Sequence, residues 1–191
     1  QNIPIVLLQA RCTGAKSIST NNFQGALDAV EYLFSRGYER IGFVGWDFQD
    51  SRLLDRLAGY RASLNRHGKP VDEVHAAYDE LSVRGGYEAT RKLLDHTKLD
   101  AVFYACDSMA VGGMSYCREH GISVPDELGI IGFDGLELSE AMGLTTMKQY
   151  INVKADMAIT YLLQRIEGSI PEPQADELCI TPRIIVRSTT K

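Results

Sequence analysis

Residues 101–135, AVFYACDSMAVGGMSYCREHGISVPDELGIIGFDG, decide the fold. With Leu99 and Asp100 in front, the run to Ala105 is apolar without alternation, as in a strand buried on both faces. Asp107 then starts a helix as its N-cap, the helix runs to about His120, and Gly121 closes it. Residues 127–133, ELGIIGF, read as a second buried strand. It stops at one carboxylate, Asp134, between Gly132 and Gly135. Asp between glycines caps its own backbone in a turn, which is the plain reading. The alternative is that a strand end delivers this carboxylate to a ligand.

The same alternation extends in both directions. IPIVLL (3–8) is a short apolar strand, and SIST (17–20) reads as another. A helix from Asn21 or Asn22 carries Phe23, Leu27, Val30, Leu33 and Phe34 at helical spacing and ends at Gly37. IGFVGW (41–46) is a strand. The helix after it has Leu53, Leu57, Tyr60 and Leu64 on one stripe. EVHAAY (73–78) is a weak strand, followed by a helix over VRGGYEATRKLLDH. Beyond Asp134 come an extended MKQYI (147–151), a helix over NVKADMAITYLLQRIEG with Met157, Leu162 and Ile166 on its face, and two extended runs, ELCI and RIIVRS. Strands and helices in alternation, with continuously apolar strands, make an α/β doubly wound parallel sheet. Such sheets bind ligands outside the carboxyl ends of their strands. Trp46–Ser51, Asp107 and Asp134 all fall at strand ends, which the fold gathers along one edge.

Composition excludes several classes. The 191 residues carry a net charge of −5, the wrong sign for gripping a phosphate backbone. Cys12, Cys106, Cys117 and Cys179 lack metal-ligand spacing and read as reduced thiols of a cytoplasmic protein. No apolar run is long enough to span a membrane. IGFVGW has only two of the glycines of a dinucleotide fingerprint, and neither a P-loop nor a nucleophile elbow is present. His67, His75, His96 and His120 sit away from strand ends. The pattern calls for no cofactor, no metal and no catalysis.

Single residues carry two readings each. Asp107 is a helix cap or a ligand contact. Arg52 and Arg56 lie one turn apart on the helix after IGFVG: a solvated face, or a guanidinium fork aimed at hydroxyls or a carboxylate. Trp46 and Phe48 are core, or a stacking wall for a sugar. Gln149 is a polar strand residue or a contact. Gly112 and Gly113 inside a helix point to close helix packing.

Taken together these segments resemble the effector-binding core of the lactose-repressor/galactose-repressor regulators, which share the fold of periplasmic sugar-binding proteins. The matching pieces run in family order: IPIVLL, NNFQGALDAVEYLFSRGYERIGFVG, RLAGYRASL, GGYEATRKLL, residues 101–135, LTTMKQY and RIIVRST. VPDELGIIGFDG is the most specific of them. The resemblance implies a two-lobe architecture with an incomplete N-terminal lobe: 1–36 and 150–168 in that lobe, 39–145 in the C-terminal lobe, and terminal strands over 177–188 on the C-terminal lobe. It implies a small sugar or sugar derivative between the lobes, a homodimer, and DNA contact only through a helix-turn-helix head that precedes the region seen here. It assigns effector contacts to Arg56, Asp134, Asp107, Cys106, Gln149, Asn22, Gln24 and Trp46. Cys106 stands where the family often has Asn, and LTT lacks the proline that often precedes it. Two rival readings are a periplasmic-type sugar-binding protein and an α/β enzyme acting on a sugar.

Overall fold

A computed structural model describes residues 3–10, 15–46, 49–170 and 177–191; Cys12, Phe48 and residues 171–176 lie outside them. In chain order the elements are β1 (Val6–Leu8), β2 (Lys16–Thr20), α1 (Asn22–Ser35), β3 (Ile41–Gly45), α2 (Ser51–Arg66), β4 (Ala76–Tyr78), α3 (Val83–His96) and β5 (Ala101–Tyr104). Then follow α4 (Asp107–Glu119), β6 (Gly129–Asp134), α5 (Glu137–Ala141), β7 (Thr145–Lys148), α6 (Ile151–Ile166), β8 (Glu177–Ile180) and β9 (Arg183–Ile185). EVHAAY divides into a 3-10 turn at Glu73–His75 and the short β4. Helix α5 was not legible in the sequence.

The chain forms two compact units, residues 1–21 with 149–182 and residues 22–148 with 183–191. The larger unit holds a six-stranded sheet in the order β4-β3-β5-β6-β7-β9, parallel except for β9. From β3 the chain steps outward one way through α2 to β4, then returns and proceeds the other way through β5 and α4 to β6. With right-handed crossovers this reversal puts α2 and α4 on opposite faces. The helices pack as two pairs, α1 with α2 and α3 with α4. The gap between β3 and β5 is therefore the topological switch point. β3 and β5 are buried at every residue, as their unbroken apolar runs require. Phe43, Phe103 and Phe133 make a ladder across β3, β5 and β6, with ring centroids 5.7 and 6.4 Å apart.

The smaller unit has a parallel sheet in the order β1-β2-β8, against which α6 packs. Three expectations change here. Helix α1 packs on α2 and on strands β5, β6, β7 and β9, so the first boundary falls at Asn21, not past residue 36. The terminal strands over 177–188 do not stay together: β8 extends β2, and only β9 joins the larger sheet. On α6 the inward residues are Lys154 and Ala158, whereas Met157 and Ile166 are exposed. Periodicity marks an apolar stripe; it does not supply a surface to cover it.

Caps and close approaches fix the larger unit. Asp50 is the N-cap of α2 and accepts from the Arg52 N–H at 2.9 Å. The Arg52 guanidinium, chiefly, and the Trp46 indole hold its carboxyl down at about 2. Because the folded value is depressed, the cap's contribution is present above the ordinary value of 3.8 and is lost as pH falls toward about 2. At two points α3 and α4 approach too closely for a side chain. A Cβ on Gly86 would overlap the Met109 carbonyl, and one on Gly112 would overlap the Val83 carbonyl.

Two measurements check this account. Asp50→Ala lowers stability at neutral pH by about 1 kcal/mol, and the difference from the parent shrinks toward zero as urea unfolding is repeated down to about pH 2. A gap that stays constant with pH removes the capping explanation. Gly86→Ala gains up to about 1 kcal/mol of helix propensity but overpacks a backbone contact, at a cost of about 1–3 kcal/mol. The expected result is a lower urea midpoint; a raised midpoint would show that the helices do not approach so closely.

Candidate functional site

Arg56 organises the carboxyl-end edge of the larger sheet. It sits on the inner side of α2, beside the switch point, with 3% of its surface exposed. Its Nε donates to Asn22 Oδ1 at 2.9 Å, and Nη1 donates to the Ala105 carbonyl at the end of β5. Nη1 also lies 3.5 Å from Asp134 Oδ1. The guanidinium is 3.8 Å from the Phe133 ring centroid and 5.6 Å from that of Trp46. The fork thus reaches α1, β5 and β6 at once, which an ammonium point charge could not do. Burial lowers the Arg56 pKa, and the Asp134 carboxylate works against that shift. Removing a cation from water costs several kcal/mol; the carboxylate, the two acceptors and the aromatic face offset it.

Asp134 closes β6 with φ 140, in the region that favours glycine. Such a backbone costs about 1–3 kcal/mol and persists only where its surroundings hold it. Its side chain remains 19% exposed, so a carboxylate is presented at the strand end. The flanking glycines are needed for different reasons. Gly135 continues the turn at φ 73, and a Cβ on Gly132 would overlap Asp107 Oδ1.

The assigned residues separate into groups. Asn22, Trp46, Cys106 and Asp134 gather with Arg56. Trp46 is buried and donates its indole N–H to Asp50 Oδ2 at 3.1 Å. Cys106 is the N-cap of α4 but makes no side-chain cap bond, and burial pushes its thiol up to about 12, so it stays neutral. Asp107 follows the cap instead of being it. It is 0% exposed, and its carboxylate accepts from Gly135 N, Leu136 N and Thr146 Oγ1. That geometry corrects the reading of Asp107 as an effector contact: its oxygens are turned into the protein. Asn22 opens α1 in the larger unit and does not line the other lobe. Gln24 donates to Asp28 one turn along the same helix, at 2.6 Å.

Gln149 belongs to the smaller unit. There its carbonyl accepts from Thr20 Oγ1 at 2.8 Å and Gln9 Nε2 at 3.1 Å, while the buried Lys154 ammonium reaches the Thr20 hydroxyl. Lys154, Asp50 and Phe133 were missed as site or cluster residues. Asp50 and Phe133 could have been found from strand-end position alone. Lys154 reads in sequence as an ordinary polar helix residue. Among the described residues no cluster of side chains suits a metal ion, and no helix is long and apolar enough to cross a membrane.

Known proteins resemble this chain in sequence and fold. The ribose operon repressor of Escherichia coli (strain K12) is 31% identical over 175 residues, which is 90% of this chain and 52% of the relative. The repressor CytR of the same organism is 34% identical over 155 residues, 80% of this chain and 46% of the relative. The chain thus spans about half the length of the curated relatives it matches. A solved LacI family transcriptional regulator from Enterococcus faecium, with bound ribose, superposes with a TM-score of 0.89 at 29% identity, covering 98% of this chain and 70% of that one. These relatives are transcriptional regulators and not enzymes. Residues 30–190 match the periplasmic binding protein-like domain, so the chain belongs to that family and is homologous to repressors of the LacI type.

Proposed function

We propose that this chain is the sugar-sensing part of a bacterial transcriptional repressor, and that its effector binds at the carboxyl-end edge of the larger sheet. One observation carries the reading: the buried Arg56 fork, anchored by Asn22 and the Ala105 carbonyl, faces the partly exposed Asp134 carboxylate beside the Phe133 and Trp46 rings. A polyhydroxyl ring needs fixed donors and acceptors for its hydroxyls and an apolar wall for its C–H face. Arg56 and Arg52 are offset by Asp134 and Asp50, so these four groups together leave no net charge, which suits a neutral sugar. The relative solved with ribose and the ribose operon repressor support that class.

Asp134 binds hydroxyl donors, Arg56 binds hydroxyl acceptors, and Trp46 offers the apolar wall, while the wholly buried Phe133 backs the Arg56 guanidinium. Nothing is cleaved. Asp107 lies next to Asp134, but its carboxylate is taken up by three internal donors, which supports a binding role over an acid–base pair. Binding favours one conformation of the sensor and is coupled to DNA affinity by its differential strength for the two states. DNA contact, through a segment outside this chain, a homodimeric assembly and a cytoplasmic location complete the proposal; the relatives' role as repressors supports them.

Trp46 is the only tryptophan, so its fluorescence reports directly on this edge. Titrating the protein with D-ribose, other neutral sugars and sugar phosphates should give a saturable change with a neutral sugar, accompanied by a melting temperature that rises with concentration. A response confined to phosphorylated or acidic sugars would refute the charge argument. Arg56→Lys keeps the charge and loses the fork; it should weaken that sugar's binding by about tenfold or more while the protein still melts cooperatively. Asp134→Asn should do the same. Unchanged affinity in both variants would move the site elsewhere.

A further inference from the structure

Asp107 is wholly buried, yet it brings a carboxylate up behind a strained strand end. Three segments are shaped around it. The N–H groups of Gly135 and Leu136 both donate to Oδ2, at 2.8 and 3.0 Å. The Thr146 hydroxyl on β7 donates to Oδ1 at 2.6 Å. On β6, Gly132 leaves the space that Oδ1 fills. Successive backbone N–H groups of a turn make a concave cradle for an anion. Here the anion belongs to the protein.

Asp134 immediately precedes the two donors. Its φ of 140 and the φ of 73 at Gly135 turn both N–H groups toward Asp107. In return, the Asp107 backbone N–H approaches Asp134 Oδ2 at 3.5 Å, while Oδ1 lies 3.5 Å from Arg56. A shift of Gly135 therefore carries the Asp134 carboxylate with it. The next residues, Glu137–Ala141, form α5, and Leu136 is its N-cap, with no side-chain cap bond of its own.

We propose that Asp107 is a positioning residue for effector recognition: by holding the Gly135 and Leu136 N–H groups it keeps Asp134 in its left-handed conformation and aims that carboxylate beside Arg56, without touching the effector. The inference rests on the sensing role proposed above. It differs from a simple brace, which would add stability and leave Asp134 where it is.

Asp107→Asn and Asp107→Ala separate the two. Asn keeps a carbonyl oxygen for both N–H groups and offers its NH2 to Thr146, whose hydroxyl turns to accept; Ala keeps neither. Ligand-free crystal structures of both variants, and D-ribose titrations followed by Trp46 fluorescence, are the measurements. With Asn, Asp134 should hold its place and ribose affinity should stay within about threefold of the parent. With Ala, Asp134 should leave Arg56 and affinity should fall by about tenfold or more. Where Ala does not fold, Asp107→Ser carries the same expectation, since its hydroxyl is too short to serve both the turn and Thr146 and remains compatible with a helix start. The proposal is overturned if Asp134 keeps its position in the Ala or Ser variant, or if Asn loses as much affinity as they do. A parent protein that ignores ribose counts against the sensing reading, while the ligand-free position of Asp134 still decides this one.

Discussion

The larger unit depends on keeping one guanidinium out of water. Arg56 sits where the sheet reverses its winding, and the groups that tolerate its burial come from three elements: Asn22 from α1, the Ala105 carbonyl from the end of β5, Asp134 and Phe133 from β6. A buried charge leaves little freedom to its surroundings, because each unmade contact costs more in a dry site than in water. The three elements are therefore held to one arrangement at the edge where an α/β sheet binds ligands. The constraint that makes the fold specific there also preorganises the site. A guanidinium already oriented by two acceptors loses little further freedom when a ligand hydroxyl arrives.

The architecture was legible because its signals are redundant. β3, β5 and β6 are continuous apolar runs, and the helices between them carry clear stripes and stops. The strand-end rule puts Asp134 and the neighbourhood of Trp46 at the carboxyl-end edge, and that is their position in the fold. What the sequence hid was of another kind. That Asn22 pairs with Arg56 depends on which unit α1 joins, and nothing in the residues near 21–36 says so. That β8 and β9 part company depends on partners far away in the chain, since both are short extended runs. Asp107 illustrates the limit best. An Asp after a strand reads equally as a cap, a ligand contact or a brace, and only its three donors distinguish them.

The smaller unit shows a further reason for such misses. Gln9 and Tyr150 adopt positive φ there, and around them Thr20, Gln149 and Lys154 form a buried polar cluster at the ends of β1 and β2 and the start of α6. An amphipathic reading of α6 selects its apolar stripe for burial, yet a lysine points inward, with Ala158 one turn on. The hydrophobic effect is non-directional, so it says which surface would gain from cover. Hydrogen bonding is directional, and at this helix start it decides which residue faces the strand ends.

Sensor and enzyme differ in what their carboxylates are left to do. A catalytic pair needs two groups whose protons can move, each reachable from the same substrate atom. At this strand-end edge two aspartates lie side by side, as an enzyme would want, but one of them is fully engaged by the backbone turn that carries the other. The neighbouring thiol at Cys106 is held neutral by burial. A carboxylate that could have carried chemistry is instead bound to the turn behind a single partly exposed one. Such an arrangement fits the proposed sensing role, because recognition needs rigid donors and acceptors and no mobile proton. The strain at Asp134 and the glycines on either side of it belong to that arrangement: Gly135 continues the turn, and Gly132 leaves the room that the Asp107 carboxylate fills.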